Sequence, residues 1–219
     1  MALTAADTRS PRRTAPKAER QLQLIRATIR SVAANGLSDT TMATVANAAG
    51  LSQGIINLHF RSKQRLLVAT LRHLADEYRA CWERSVVDAG DDPADRLAAR
   101  VAVDFAPAVC HRDKLAVWFA FWGESKSRPT YRRICAERDR ADRAAIVTLC
   151  QALIRQGGYT GIDADIVAAT LSAMTAGLWL DLLTRPRTID RGQARTICTA
   201  YLAATFPRHF PRPEPGATR

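Results

Sequence analysis

Trp118, Phe119, Phe121 and Trp122 stand within five residues of one another, in a chain of 219 residues with only 4 Trp, 4 Tyr and 6 Phe. On a helix, Trp118 and Trp122 share a face, Phe119 lies beside them and Phe121 points elsewhere. Aromatic ring faces attract cations by roughly 0.5–2 kcal/mol each. This cluster, joined by Trp179, therefore reads as a cage for an organic cation. Glu124, Asp104 and Asp181 supply carboxylates that could balance its charge. Plain core packing would explain the same aromatics, and the sequence leaves both readings open.

A second constellation occupies residues 41–63. Two short apolar stripes, Met42-Val45-Ala46-Ala49 and Ile56-Phe60, flank the turn Ala49-Gly50-Leu51-Ser52. The turn needs a residue tolerant of positive φ, and Gly50 provides it. Packing the stripes together turns Ser52, Gln53, Ile55, Asn57 and His59 outward, a face without acids. Such a face suits phosphates and base edges in a major groove. Gln53 and Asn57 carry amides that pair with adenine, and Lys63 is placed to meet a phosphate. With Thr41 and Gly54 these residues form the expected DNA-facing set. An ordinary helical hairpin is the competing reading, and the basic flanks Lys17, Arg20, Arg26, Arg61 and Arg65 weigh against it.

Catalysis finds little support. His59, His73, His111 and His209 show no metal-binding spacing, and no phosphate-binding or nucleophile-elbow motif occurs. Cys110 and His111 are sequence neighbours, which a helix would point about 100° apart. The five cysteines, Cys81, Cys110, Cys135, Cys150 and Cys198, are scattered and odd in number, as expected of reduced core thiols. The expectation is a non-enzymatic cytoplasmic protein with no metal and no cofactor. There is no run of 18 wholly apolar residues and no apolar leader, so no membrane span is expected.

The net charge of +11 is concentrated at one end: residues 1–80 hold 12 basic and 5 acidic residues. An anionic partner should dock there, double-stranded DNA first and a membrane surface second. A membrane-binding first helix would need its apolar stripe free, yet that stripe is required to cover the two short helices behind it. The run 131–144 is rich in arginine but alternates sign through Glu137, Asp139 and Asp142, as a solvated ion-paired helix face would.

Helical period begins at Leu22 and recurs through the chain, without strand alternation or repeats. The predicted fold is all-α. A basic arm, 1–17, precedes a helix-turn-helix head, 18–65; a helical body, 66–206, and a loose tail, 207–219, follow. Lys17, Arg20 and the Arg12-Arg13 pair are expected to touch DNA without joining the fold. Start signals fall at Thr40 or Thr41, Ser52, Ser62, Asp92-Pro93, Asp113, Pro129, Asp163 or Asp165, and Asp190.

The run TMATVANAAGLSQGIINLHFRSKQRLL, residues 41–67, resembles the signature of the TetR family of one-component transcriptional repressors. AVWFAFWGES with Pro129 and YRRI, then GLWLDLL around Trp179, are similar to the choline-responsive BetI subgroup. One departure is Asn57, which stands where many members carry Tyr, followed by Leu58. The resemblance implies a three-helix DNA-binding head and a larger ligand-binding, dimerising body. It further implies a dimer that holds an inverted-repeat operator and leaves it when a small-molecule inducer enters. The implied interface uses the long helices at about 129–155 and 163–185. Small residues along the second of these would serve packing within the chain equally well.

Overall fold

The computed structural model describes residues 17–210; residues 1–16, including the Arg12-Arg13 pair of the expected arm, and residues 211–219 lie outside the described residues. Nine helices and no strand occur among the described residues. Three form the head: α1 (Lys17–Asp39), α2 (Met42–Ala48) and α3 (Gln53–His59). Lys17 and Arg20 belong to α1 rather than to an arm outside the fold, since helical geometry starts directly after Pro16. The first helix breaks at Gly36, where its regular turns end.

The head has its own core of Leu24, Ala27, Val45, Ala46, Ile56, Phe60 and Leu66. Thr41 and Thr44 cap α2 reciprocally, side chain to backbone, at 3.1 and 2.8 Å. At the other end of α2, Gln23 Nε2 donates to the Ala49 carbonyl at 2.7 Å and Arg30 Nη2 to the Ala48 carbonyl at 3.0 Å. These bonds satisfy carbonyls a short helix leaves open, so α1 fixes where the turn begins. Gly50 then takes φ 65°, which redirects the chain into α3.

The body comprises α4 (Lys63–Asp88), α5 (Pro93–Asp104), α6 (Arg112–Glu124), α7 (Pro129–Gly157), α8 (Ala164–Thr184) and α9 (Arg191–Thr205). Caps fall at Ser62, Asp92, Asp163 and Asp190 as the sequence indicates. The exception is α6, which His111 caps rather than Asp113. The His111 ring Nδ1 accepts the Asp113 N–H at 3.3 Å, so Asp113 sits in the first turn, where the helix dipole favours an acid. Helix α6 packs along α1 and also against α8. It thus joins head and body.

Helix α8 is apolar and long enough, by length and composition, to cross a membrane, with a mean hydropathy of 1.7 over its most apolar window. Here Val167, Ala168, Leu171, Leu178 and Trp179 face the core. Ile166, Ala173, Gly177 and Leu180 instead form an exposed, uncharged seam at heptad-like spacing. On α7, Ile134 and Leu153 are buried inside the chain. The free apolar surface of this helix pair therefore lies mainly on α8.

The tail is fixed as far as Phe210, not loose from Pro207. Tyr159 Oη accepts the Arg208 N–H at 2.8 Å and pairs with His209 Nδ1 at 3.0 Å, and Phe210 is buried. This clasp needs Gly157, because a Cβ there would lie 2.3 Å from the Tyr159 ring.

Candidate DNA-reading head and cation chamber

The turn presents α3 at the surface. Ser52, Gln53, Gly54 and Asn57 are exposed, and the Ser52 hydroxyl makes no capping bond to its own helix. Gln53 and Asn57, four residues apart, share a face. Ile55 and His59 are half-buried rather than fully outward, and His59 Nδ1 has no hydrogen-bond partner. Leu58 is outward, with 76% of its surface exposed. An exposed leucine between an amide and a half-buried histidine was visible in the sequence only as a break in the polar face.

Thr41 is exposed, but its hydroxyl is already engaged in capping α2. Lys63 Nζ donates to the Ser38 carbonyl at 2.8 Å, tying the start of α4 to the end of α1. Two of its three ammonium hydrogens remain for an anion. Arg26, Arg30, Arg61 and Arg65 are exposed around the same head.

In the body, a cavity of about 260 Å³ lies among α4, α5, α6, α7 and α8. One wall is a buried ionic network. Arg100, 1% exposed, donates Nε to Asp142 at 2.8 Å and Nη1 to Asp104 at 2.7 Å, and Nη2 reaches both Tyr78 Oη and Asp142. Tyr78 Oη donates to Asp104 at 2.7 Å, Thr175 Oγ1 donates to the other Asp104 oxygen at 3.1 Å, and Trp179 Nε1 donates to the Asp104 carbonyl at 2.8 Å. Burial pushes the Asp142 carboxyl above its ordinary value despite the adjacent Arg100. Burial alone would lower the Arg100 guanidinium, but Asp104, Tyr78 and Asp142 together hold it well above its usual value.

The opposite wall is aromatic. Trp122 and Trp179 stack 6.4 Å apart, Trp118 lies 6.1 Å from Trp122, and Tyr78 meets Trp179 edge-on at 6.1 Å. A cation already sits among these rings. The Arg138 guanidinium carbon lies 4.6 Å from the centre of Trp118, 4.9 Å from Tyr78, 5.5 Å from Trp122 and 5.9 Å from Trp179. Arg138 Nε donates to Asp139 at 2.9 Å and Nη2 contacts it at 2.7 Å, whereas Nη1 is buried without a hydrogen-bond partner.

The structure therefore gathers Trp118, Trp122 and Trp179, adds Tyr78, and keeps Phe119 at the edge, packed against Trp122 at 5.1 Å. Asp181 is not part of the chamber. Two residues beyond Trp179, it points to the far side of α8 and pairs with Arg185. Glu124 pairs with Arg128, and only Asp104 of the three acids reaches the cavity. The reading of 131–144 as a solvated face is also corrected. Arg133 and Glu137 do form an exposed pair, but Arg138 and Asp142 turn inward. The signal was their spacing: they fall on the buried stripe of Ile134, Ile146, Cys150 and Leu153.

A basic three-helix head with an exposed short helix beyond a tight turn, followed by a six-helix body, defines a helix-turn-helix transcriptional regulator. Residues 24–70 match the family described as bacterial regulatory proteins, tetR family, and residues 93–207 match the BetI-type transcriptional repressor C-terminal family. The chain belongs to the TetR family and carries a BetI-type C-terminal body. It is 37% identical over 161 residues to the HTH-type transcriptional regulator BetI of Stenotrophomonas maltophilia (strain R551-3), covering 74% of this chain and 80% of that protein. It is 35% identical over 188 residues to the protein of the same name from Burkholderia thailandensis, covering 77% and 95%. Among solved structures, a transcriptional regulator from Pseudomonas aeruginosa PAO1 superposes with a TM-score of 0.77 at 26% identity, over 90% of this chain and 96% of that one. A regulator from Saccharomonospora viridis in complex with choline does so with a TM-score of 0.74 at 25% identity, over 84% and 96%.

Proposed function

We propose that the chain is a cytoplasmic repressor that holds an inverted-repeat operator as a homodimer and releases it when a small organic cation of the choline type enters the body. The observation that supports this reading is the Arg138 guanidinium among four aromatic rings, surroundings that suit a cation. The choline complex of the Saccharomonospora regulator supports the same ligand class. A cavity of about 260 Å³ suits a small occupant, being below the range of about 300–1,000 Å³ typical of drug-sized ligands.

In this proposal residues 18–65 read DNA and 66–206 sense and dimerise. Gln53, Asn57 and Leu58 face bases, while Ser52, Gly54, Thr41 and Lys63 lie against the phosphate backbone. The uncharged α8 seam of Ile166, Ala173, Gly177 and Leu180 meets its copy, with α7 completing a four-helix interface. Release would run through α6, which carries Trp118 and Trp122 and also packs on α1. Moving α6 moves the head. Half-sites one helical turn apart are separated by about 34–36 Å, so a shift of a few ångströms breaks register. The ligand acts only through its preference for the released state.

Choline titration followed by tryptophan fluorescence, alongside an operator gel shift, tests the proposal. Quenching together with release supports it; a bound operator and unchanged fluorescence at millimolar choline contradict it.

A further inference from the structure

The charged groups around the chamber balance without a ligand. Arg100, Arg138 and Arg143 face Asp104, Asp139 and Asp142 around the cavity. Arg100 is committed to Asp104 and Asp142, and Arg138 to Asp139. A free cation that takes the rings in place of the Arg138 guanidinium leaves that group beside it, joined to a helix that lines the same cavity. Two like charges in a poorly solvated chamber repel.

The displaced group also brings an unmet need. Arg138 is 10% exposed, and its Nη1 is buried with no acceptor. A buried donor left unpaired is costly, and a carboxylate is the acceptor that a guanidinium fork binds most strongly. Choline offers this donor a hydroxyl but no negative charge.

We propose that the preferred ligand is a zwitterion, a quaternary ammonium with a carboxylate a few bonds away, whose ammonium takes the aromatic cage and whose carboxylate takes the displaced Arg138. This rests on the cation-chamber reading above and narrows it. The ligand then restores neutrality, and Arg138 passes from occupant of the cage to partner of its replacement. Arg138 is thus a specificity-determining residue, setting zwitterion against simple cation.

Calorimetric titration of the full-length protein with choline, trimethylglycine and 3,3-dimethylbutanoate tests this. The last is the carbon analogue of trimethylglycine, with the carboxylate but no positive charge. The expected result is trimethylglycine binding about tenfold or more tighter than choline, the change one charge-assisted hydrogen bond supplies. In Arg138→Gln that order should reverse, since the competitor leaves the cage and the carboxylate loses its partner. Arg138→Lys, which keeps the charge, should retain the preference for trimethylglycine, and serves if the glutamine variant does not fold. Choline binding wild type as tightly as trimethylglycine would overturn the zwitterion while leaving the cation chamber standing. If 3,3-dimethylbutanoate binds as well as trimethylglycine, or no quaternary ammonium binds at all, the chamber reading itself fails.

Discussion

The guanidinium carbon of Arg138 lies 4.6 Å from the centre of the Trp118 ring, although the two residues belong to different helices, α7 and α6. This contact makes the aromatic cluster more than filler. Core packing satisfies an indole with any apolar neighbour, whereas here the neighbour is a cation that three further rings also face. The rings already face a positive charge of the chain's own.

Trp122→Leu removes one of these rings at a half-buried position, so it should weaken binding of a quaternary ammonium by about 3- to 30-fold, the range of one cation–π contact. Trp118→Ala should abolish the response as well, at a cost of about 3–5 kcal/mol in stability because Trp118 is fully buried. Operator affinity at a temperature where both variants are folded should match wild type. Calorimetry and thermal unfolding, read together, separate the two effects.

Arg100→Ala should cost about 3–5 kcal/mol, since it leaves Asp104 and Asp142 buried without their shared cation. Tyr78→Phe removes one donor from the same network and should cost about 1–3 kcal/mol. Denaturant unfolding of both variants gives the order directly. Equal stability of Arg100→Ala and wild type would mean that the network contributes nothing.

On the DNA side, Lys63→Ala should weaken all sequences about equally and reduce the salt slope by about 1. Leu58→Ala should instead relax preference at one position in each half-site, because an exposed leucine on a reading helix recognises the thymine methyl group. Replacing thymine by deoxyuridine at that position should reproduce the loss in wild type and add nothing in the variant. Anisotropy titrations on a selected operator measure both.

Burial pushes the thiols of Cys110 and Cys198 up to about 11 and that of Cys150 to about 12, from 9.0. The folded state therefore holds these protons to higher pH than the unfolded chain. Their contribution to stability is complete below about pH 9 and is lost as the pH rises through about 11 to 12. Native labelling at pH 8 should modify half-buried Cys81 first and leave the four buried thiols protected.

Much of this was legible in the sequence because local rules and global fold agree. Gly50 marks the turn, Ser62, Asp92 and Asp163 mark helix starts, and Trp118 with Trp122 marks the face of α6 turned towards Arg138. What escaped depends on contacts between distant residues. Arg138 and Asp142 sit among alternating charges that read as solvated, and only the buried stripe they interrupt betrays them. Arg100 lies 42 residues from its partner Asp142, and no local spacing links the two. Asp181 failed for the opposite reason: nearness to Trp179 in sequence is not nearness on a helix.

Gly177→Glu places a charge in the α8 seam, which is uncharged and exposed in the single chain, at a position where an added side chain meets nothing. The variant should sediment as a monomer with an unchanged helical spectrum. Losing the second half-site contact should lower operator affinity by about 10²–10⁴-fold. A dimer of unaltered strength would place the interface elsewhere.

In the proposed switch, filling the aromatic chamber removes the protein from DNA. Its most direct test is the anisotropy of a labelled operator bound by wild type and by Trp122→Leu while a quaternary ammonium ligand is added. Release from wild type is expected at ligand concentrations that also change its tryptophan fluorescence, with the release curve of the variant shifted to about 3- to 30-fold higher ligand. Ligand that changes wild-type fluorescence yet leaves the operator fully bound would contradict it.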